Sequence, residues 1–229
     1  MRTILIGDIH GCYDPFEQLL KKVFFDETRD RLILLGDLMD RGRDSCKVYH
    51  SAVSLQERMG KRFVLIRGSH EKMLLEDSTR LRDKLLWRLV GKGAAVASFR
   101  RQGEKMEDSI PWFREHSLLY YEDTLFQCVH AGICRENPAE NDEHTLLMDH
   151  SITRKNAYAG KLTITGHIHL QEPTWFDGSG GRGKPLPYGE WRLLPEKGVI
   201  CLDTGCAEGN KLTAMILCGD RYLLTCVNR

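Results

Sequence analysis

Aspartate and histidine residues follow several short apolar runs of the chain, where each run ends in a turn. These residues are Asp8, His10, Asp37, His130, His167 and His169. Carboxylate and imidazole groups together suit borderline divalent ions such as Mn²⁺, Fe²⁺ or Zn²⁺, whereas Mg²⁺ and Ca²⁺ prefer oxygen ligands alone. One carboxylate can bridge two ions about 3.5 to 4 Å apart, which is the geometry of two-metal hydrolysis. One such residue alone would indicate only a turn or a polar surface, but its repetition at five strand ends favours a metal site.

The apolar runs are the elements that must position these side chains. They are Thr3–Ile6, Leu32–Leu35, Phe63–Ile66, Leu125–Val129 and Leu162–Thr165. Short apolar runs bounded by turn residues are typical of strands buried on both faces. In open α/β sheets, ligands bind beyond the carboxyl ends of the strands. We therefore expect the aspartates and histidines to gather at one edge of a sheet.

Helical periodicity lies between the strand-like runs. Apolar residues at helical spacing occur at Phe16, Leu19, Leu20 and Val23, at Val48, Ala52, Leu55 and Met59, and at Leu81, Leu85 and Leu89. Strands that alternate with helices predict a layered α/β fold.

The last third of the chain lacks this alternation. The runs Val199–Leu202, Leu212–Leu217 and Tyr222–Val227 are strand-like, and Gly219-Asp220 indicates a tight hairpin turn between the last two. We expect these strands to form a second, largely antiparallel sheet packed on the first. The chain is interpreted as one domain over residues 1–229, with a flexible Gly/Pro-rich loop at about 177–187.

Composition and charge exclude several classes of protein. The chain has 229 residues, with 33 Lys+Arg against 32 Asp+Glu, so its net charge of +1 argues against a nucleic-acid or membrane-surface partner. No apolar run approaches the roughly 18 to 20 residues needed to span a bilayer. Asp8 comes too early for a signal peptide, so we expect a cytoplasmic protein.

Five motifs in order along the chain resemble those of the calcineurin-like metallophosphoesterases. They are Gly7-Asp8-Ile9-His10-Gly11, Gly36-Asp37-Leu38-Met39-Asp40-Arg41-Gly42, Gly68-Ser69-His70-Glu71, Val129-His130-Ala131-Gly132 and Gly166-His167-Ile168-His169. Within that superfamily the set is most similar to bacterial-type phosphoprotein phosphatases. It is also similar to symmetrical diadenosine tetraphosphatases, through Gly11-Cys12-Tyr13-Asp14 and Leu202-Asp203-Thr204-Gly205-Cys206. The resemblance implies an αββα sandwich, in which two mixed β-sheets are flanked by helices.

The resemblance also implies a centre of two divalent transition-metal ions. Manganese is the expected metal, and iron, zinc or nickel are the alternatives. Asp8 and His10 would hold the first ion, Asp37 would bridge both, and His130 and His167 would complete the second. Two cations lower the pKa of a bound water, which then becomes a strong nucleophile at neutral pH.

Catalytic roles follow from the same resemblance. His70 would protonate the leaving oxygen, Asp40 would orient the His70 ring, and Arg41 would bind the phosphate. These roles suit the chemistry, because imidazole titrates in the right range and a guanidinium fork fits phosphoryl oxygens. Arg154 is assigned as a second phosphate-binding arginine, with an ordinary solvated side chain as the alternative.

Two positions depart from the family pattern. Ser69 stands where the family has a metal-binding Asn, and its shorter hydroxyl must turn its proton away to act as a ligand. His169 follows His167 at i+2, so on a regular strand both side chains would point to one face. We assign His169 as an extra ligand of the first ion, with lining of the pocket as the alternative.

The sequence favours an enzyme that hydrolyses phosphate monoesters. The leading hypothesis is a serine/threonine protein phosphatase with possible dual specificity, because Asp40-Arg41-Gly42 matches that branch. Its substrate would be a phosphorylated protein or a small phosphate ester. The first alternative is a nucleotide hydrolase similar to the symmetrical tetraphosphatases. The second is a catalytically weak, phosphoprotein-binding relative, which the serine at position 69 suggests.

Overall fold

Short apolar strands and amphipathic helices build the fold in the order that the apolar runs predict. The computed structural model describes residues 1–76, 85 and 87–229 of the chain. The helices are α1 (Tyr13–Lys22), α2 (Ser45–Met59), α3 (Ser69–Glu76), α4 (Gly93–Arg101), α5 (Ile110–His116), α6 (Glu143–Met148) and α7 (Ser151–Lys155). The strands are β1 (Thr3–Ile6), β2 (Arg31–Leu34), β3 (Phe63–Ile66), β4 (Ser117–Leu118), β5 (Tyr120–Glu122), β6 (Gln127–Val129), β7 (Thr163–Thr165), β8 (Thr174–Phe176), β9 (Lys184–Pro185), β10 (Arg192–Leu193), β11 (Val199–Cys201), β12 (Lys211–Cys218) and β13 (Arg221–Asn228).

Two mixed sheets share these strands. The first sheet has the order β10-β13-β12-β1-β2-β3-β4, and its strands β1 to β4 are parallel. The second has the order β5-β6-β7-β11-β8-β9, and β6, β7 and β11 are parallel within it. Because parallel strands end at the same edge of a sheet, the turns after β1, β2, β6 and β7 can meet.

The C-terminal hairpin does not join the sheet that the sequence predicts. Strands β12 and β13 pair through the expected turn, but β12 is antiparallel to β1 in the first sheet, with Thr3 opposite Leu217. Only β11 of the three predicted strands belongs to the second sheet. Both faces of β12 are apolar and buried, which suits an interior position beside β1. Periodicity shows that such a strand is buried but does not show which sheet it joins, so this prediction was wrong.

Three apolar layers hold the sandwich together. Between the sheets pack residues such as Leu5, Ile33, Ile164, Ile200 and Met215. The alternate residues of the first sheet pack on α1 and α2 through Ile4, Leu32, Phe16 and Val48. The outer face of the second sheet packs on α6 and α7 through Val199, Leu146 and Ile152. The αββα architecture is therefore confirmed.

Two further predictions concern segments near the edges of the fold. Leu81, in the third helical pattern, lies outside the residues that the structure describes, whereas Leu85 and Leu89 are 49% and 84% exposed. Residues 177–187, interpreted as a flexible loop, contain β9, which pairs with β8. Asp177 stabilises this turn by accepting hydrogen bonds from the Ser179 N–H (3.0 Å) and from Lys184 Nζ (2.7 Å).

No helix within residues 1–76, 85 and 87–229 combines the length and the apolar character needed to cross a membrane.

Candidate active site

The turns after four strands bring the predicted site residues together at one edge of the sandwich. Asp8 and His10 follow β1, Asp37 follows β2, His130 follows β6 and His167 follows β7. We call these five residues the inner cluster; all but His167 are at most 2% exposed. Sharp turns are needed to aim the side chains inward from the strand ends.

Strained backbone marks these turns. Among the described residues, seven that are not glycine have positive φ, and five of them are predicted site residues: His10, Asp37, Asp40, Arg41 and His167. Left-handed backbone is costly for residues with a side chain and persists where the surroundings hold it. Its concentration at one edge of the fold agrees with a functional site there.

Asp37 lies at the centre of the inner cluster. Its Oδ2 is 3.6 Å from His10 Nε2, 3.4 Å from His130 Nε2 and 4.0 Å from His70 Nε2. Ser69 donates its hydroxyl hydrogen bond to the same oxygen (3.0 Å), and the His70 N–H donates to Oδ1 (2.8 Å). The carboxylate therefore faces three imidazoles at once.

Backbone carbonyls fix the orientation of two of these rings. His10 Nδ1 donates to the Met39 carbonyl (2.8 Å), and His130 Nδ1 donates to the Leu35 carbonyl (2.7 Å). The Nε2 atoms of both rings therefore point toward Asp37.

The donor set fits divalent metal ions. Within the part of the chain that the structure describes, the buried Nε2 atoms of His10, His130 and His167 have no hydrogen-bond partner. Buried polar atoms normally find one, so orphaned nitrogens aimed at a carboxylate suit metal ligation. Ligand atoms lie within 4.8 Å of one another in two groups that share Asp37: His10, Asp37 and His70, and Asp37, His130 and His167.

Burial and mutual charge shift the pKa values of the cluster in opposite directions. Burial lowers the pKa of His130, but the Asp37 and Asp8 carboxylates and the Leu35 carbonyl together outweigh burial and raise that pKa to about 10. Burial and the neighbouring His130 lower the pKa of His167 to about 3. Burial and Asp203 raise the pKa of Asp8 well above its usual range. In the absence of cations, the raised pKa values of His130 and Asp8 favour their protonated forms, and bound ions would displace these protons.

Glu71 supports the turn that carries Asp37, a role that sequence reasoning missed. Its buried carboxylate accepts hydrogen bonds from the backbone N–H groups of Asp37 (2.8 Å), Leu38 (2.9 Å) and Gly68 (2.9 Å). Burial, followed by the Asp37 charge, raises the pKa of Glu71 to about 7. A Cβ at Gly68 would lie 2.1 Å from Asp37 Oδ1, so only glycine fits there. The sequence signal that could have indicated this role was the place of Glu71 as the last residue of the motif Gly68-Ser69-His70-Glu71.

His70 and Asp40 form the pair that the resemblance implies. His70 Nδ1 donates to Asp40 Oδ2 at 2.6 Å, and both side chains are buried. Burial lowers the pKa of His70, but the Asp37 and Asp40 carboxylates outweigh it, so the net shift is upward. Trp87 Nε1 donates to the same Asp40 oxygen at 2.6 Å. The helical pattern around Trp87 gave no sign of this contact.

A second set of side chains lies beside the inner cluster; three of its four members are partly exposed, and the fourth, Asp203, is buried. We call Arg41, His169, Asp203 and Glu208 the rim. Arg41 donates to His169 Nε2 (2.9 Å) and pairs with Glu208, while Asp203 Oδ2 lies 3.1 Å from His169 Nε2. Burial raises the pKa of Asp203 to about 6. Glu208 was missed, and Asp203 was noted only as part of Leu202-Asp203-Thr204-Gly205-Cys206.

His167 and His169 do not share one face, because the strand ends before them. β7 stops at Thr165, and His167 has a left-handed backbone with φ 65°. His167 therefore reaches Asp37 and His130, whereas His169 reaches Arg41 and Asp203. The expectation from a regular strand was wrong at this position.

Arg154 lies exposed on α7, and the hydrogen bonds of the described residues include none from its side chain. The N-terminus of α7 is close to the site, because the ring of His150 lies 4.5 Å from the ring of His167. His150 was a further neighbour that sequence reasoning missed.

Comparisons with known proteins find both similar sequences and similar folds. A symmetrical bis(5'-nucleosyl)-tetraphosphatase of Pasteurella multocida (strain Pm70) is 37% identical over 267 aligned positions, which cover 94% of this chain and 93% of that protein. Among solved structures, a metallophosphoesterase from Sphaerobacter thermophilus has a TM-score of 0.68 at 16% identity, with 100% of this chain and 90% of that chain covered. A cold-active protein-tyrosine phosphatase of a psychrophile Shewanella sp. has a TM-score of 0.60 at 14% identity, with 99% and 80% covered.

A family model matches most of the chain. The model described as calcineurin-like phosphoesterase matches residues 1–196, a range that includes every residue of the inner cluster. The chain therefore belongs to the calcineurin-like phosphoesterase family and is a phosphoester hydrolase.

Proposed function

We propose that this chain hydrolyses dinucleoside tetraphosphates symmetrically, releasing two nucleoside diphosphates. The observation that carries the proposal is the 37% identity to a symmetrical tetraphosphatase over nearly the full length of both proteins. This is the alternative that the motifs left open. It has better support than a protein phosphatase, because the likeness to the protein-tyrosine phosphatase is one of fold at 14% identity.

The inner cluster would hold two divalent ions. In this assignment Asp8 and His10 would hold the first ion, His130 and His167 would hold the second, and Asp37 would be shared by both. When bound, the ions would supply Lewis-acid charge to the phosphoryl oxygens and acidify a water for attack. The buried, orphaned Nε2 atoms support this assignment.

Ser69 and His169 would complete the surroundings of the ions. The Ser69 hydroxyl lies 3.0 Å from Asp37 Oδ2, so it is close enough to supply a neutral oxygen donor to the second ion. His169 contacts Arg41 and Asp203, which favours a role in lining the pocket.

His70 would hold the proton for the leaving oxygen. Its Nδ1 is occupied by Asp40, so Nε2, which lies 4.0 Å from Asp37 Oδ2, can donate. The diphosphate that leaves a dinucleoside tetraphosphate is far less basic than a serine alkoxide, so it needs less help from this proton.

Arg41 would bind the substrate phosphate after its guanidinium exchanges Glu208 for phosphoryl oxygens. A planar fork of N–H donors matches these oxygens in geometry and charge. Arg154, exposed on α7 beside the site, would supply a second guanidinium.

Phosphomonoester hydrolysis on phosphorylated proteins is the second candidate. It is favoured by the buried His70–Asp40 pair at 2.6 Å, because a serine or threonine alkoxide requires a well-oriented acid. Manganese remains the proposed metal for both candidates, since imidazole and carboxylate ligands suit it.

A substrate panel tests the two candidates side by side. The Mn²⁺-loaded protein would be assayed at equal concentrations of diadenosine tetraphosphate, a phosphoserine peptide, a phosphotyrosine peptide and p-nitrophenyl phosphate. We expect the highest kcat/KM for diadenosine tetraphosphate, with ADP as the only nucleotide product. Release of AMP and ATP would exclude symmetrical cleavage, and a higher kcat/KM for a phosphopeptide would favour the protein phosphatase. No turnover with metals bound would favour the phosphoprotein-binding alternative. Asp37→Asn serves as the inactive control.

A further inference from the structure

Trp87 and His70 converge on a single oxygen of Asp40. Both Trp87 Nε1 and His70 Nδ1 lie 2.6 Å from Asp40 Oδ2, and all three side chains are buried. The second oxygen, Oδ1, is buried and has no hydrogen-bond partner among the described residues. The orientation of the carboxylate is therefore set by these two donors.

The turn that follows Trp87 holds the indole and the next site residue together. The backbone kinks at Gly91 within Arg88–Lys92, and Lys92 Nζ lies 3.8 Å from the centre of the Trp87 ring, within the range of a cation–π interaction. The Gly91 carbonyl accepts a hydrogen bond from the Arg41 N–H (3.3 Å). Gly91 has a φ of 120°, and a Cβ there would lie 2.5 Å from the Arg41 nitrogen, so this approach requires glycine.

The segment from Trp87 to Lys92 thus contacts both Asp40 and Arg41. It reaches the side chain of Asp40 through Trp87 and the backbone of Arg41 through Gly91. Asp40 and Arg41 both have left-handed backbone, which surrounding contacts must stabilise.

We propose that Trp87 is a positioning residue, which fixes the Asp40 carboxylate so that the His70 ring is aimed at the leaving oxygen. This inference rests on the proposed role of His70 as proton donor. Without the indole N–H, the carboxylate would be held by His70 alone and could rotate about its Cβ–Cγ bond. The imidazole plane would rotate with it, and small displacements of a reacting group are costly.

The variant Trp87→Phe tests the inference, because it keeps an aromatic ring under Lys92 and removes the N–H. Two aryl phosphates would be compared: phenyl phosphate, whose leaving group is basic, and p-nitrophenyl phosphate, whose leaving group needs little protonation. We expect kcat for phenyl phosphate to fall on the order of tenfold and kcat for p-nitrophenyl phosphate to change less than about twofold. KM should stay the same for both.

Trp112→Phe is the matched control. The indole Nε1 of Trp112 is also buried, but it has no hydrogen-bond partner within the described part of the chain. Loss of this N–H should leave the ratio of the two kcat values unchanged. A general loss of packing would lower both rates together, whereas the proposed role of Trp87 changes their ratio.

His70→Asn separates the inference from the function on which it rests. If His70→Asn slows both aryl phosphates equally, the proton-donor role is wrong and the role of Trp87 fails with it. If His70→Asn slows phenyl phosphate selectively but Trp87→Phe does not, only the role of Trp87 is overturned.

A measurement without substrate provides the second test. In ¹H–¹⁵N spectra of the intact protein, the indole resonance that disappears in Trp87→Phe belongs to Trp87. We expect that resonance to lie downfield of the other indole signals and to shift upfield in Asp40→Asn, because a charge-assisted hydrogen bond is short and strong. An indole resonance that does not respond to Asp40→Asn would overturn the inference.

Discussion

The inner cluster and the rim are held in place by different kinds of contact. In the inner cluster, His10 and His130 are tied to backbone carbonyls and the turn of Asp37 is tied to Glu71, all in buried surroundings. In the rim, Arg41 and His169 are held by contacts with other side chains. The side chain of Arg41 is 27% exposed and that of His169 is 34% exposed. The backbone of the fold therefore positions the cluster before any ligand arrives. The rim is held by ion pairs that a phosphate can replace.

This difference predicts a graded response to substitution. Changes in the inner cluster should be large, because no other group can take over a ligand fixed by the backbone. Changes to the ion-pair partner of Arg41 in the rim should be small, because partly exposed ion pairs contribute little and solvent can replace them.

Asp37→Asn should have the largest effect. The amide keeps the size of the side chain but removes the charge that faces three imidazoles, so activity should fall to background and metal content should drop. Far-ultraviolet circular dichroism should show that the fold is retained. Turnover and metal content by mass spectrometry are the measurements, and normal turnover would remove Asp37 from its bridging role.

His70→Asn should have the next largest effect on an ester with a basic leaving group. We expect a loss on the order of 10² to 10⁴ in kcat, the range for general acid catalysis, while both metals stay bound. The amide can still accept or donate a hydrogen bond beside Asp40, so the pocket should keep its shape. Metal loss in this variant would show that His70 is a ligand, as its place in the group with His10 and Asp37 permits.

Ser69→Asn should strengthen the site. The serine hydroxyl now donates to Asp37, whereas an amide oxygen would be a neutral ligand for the second ion. We expect that ion to bind about 10- to 100-fold more tightly, by analogy with supporting groups of other metal sites. Activity titrated with Mn²⁺ on both proteins measures the change. An unchanged midpoint and plateau would mean that Ser69 does not occupy the ligand position.

Metal binding should release protons from the inner cluster. The pKa of His130 is raised to about 10, so the metal-free protein keeps this ring protonated at neutral pH, and a metal ion must displace the proton. Lowering the pH therefore favours the metal-free form, and the apparent affinity should fall about tenfold per pH unit for each proton displaced. A weakly buffered titration with a pH indicator should register about one proton or more for each chain loaded. Metal binding without proton release would contradict the positive charge assigned to His130 in the metal-free protein.

Glu208→Gln should have the smallest effect. Its ion pair with Arg41 is partly exposed, and such pairs contribute roughly 0.2–1 kcal/mol. Removing the charge frees the guanidinium for phosphate, so KM should fall by up to about fivefold with kcat unchanged. Glu190→Gln, in an exposed pair with Arg192, is the control and should leave KM as it is. A higher KM in Glu208→Gln would mean that the pair orients Arg41 for binding.

The same division explains what the sequence could predict. The inner cluster was predictable because each member directly follows a strand, and the strand ends of an α/β sheet converge by geometry. Trp87 and Glu208 were not, because each reaches the site from a separate turn whose position depends on the packing of the whole chain. The placement of His167 and His169 on one face was wrong for a local reason, since the left-handed backbone at His167 ends the alternation that a strand would impose. The sheet that the C-terminal hairpin joins could not be read from periodicity either.

The position of that hairpin has a consequence for biosynthesis. β1, which carries the turn of Asp8 and His10, has β2 on one side and β12 on the other, and its register with β12 pairs Thr3 with Leu217. A ribosome must therefore translate as far as β12, at residues 211–218, before β1 gains its second neighbour. Until then a buried, apolar strand has an unpaired edge, and such edges invite aggregation of nascent chains. Contacts between segments that lie far apart along a chain also slow folding. The part of the site built on β1 should therefore mature only after β12 has been synthesised and has paired with it.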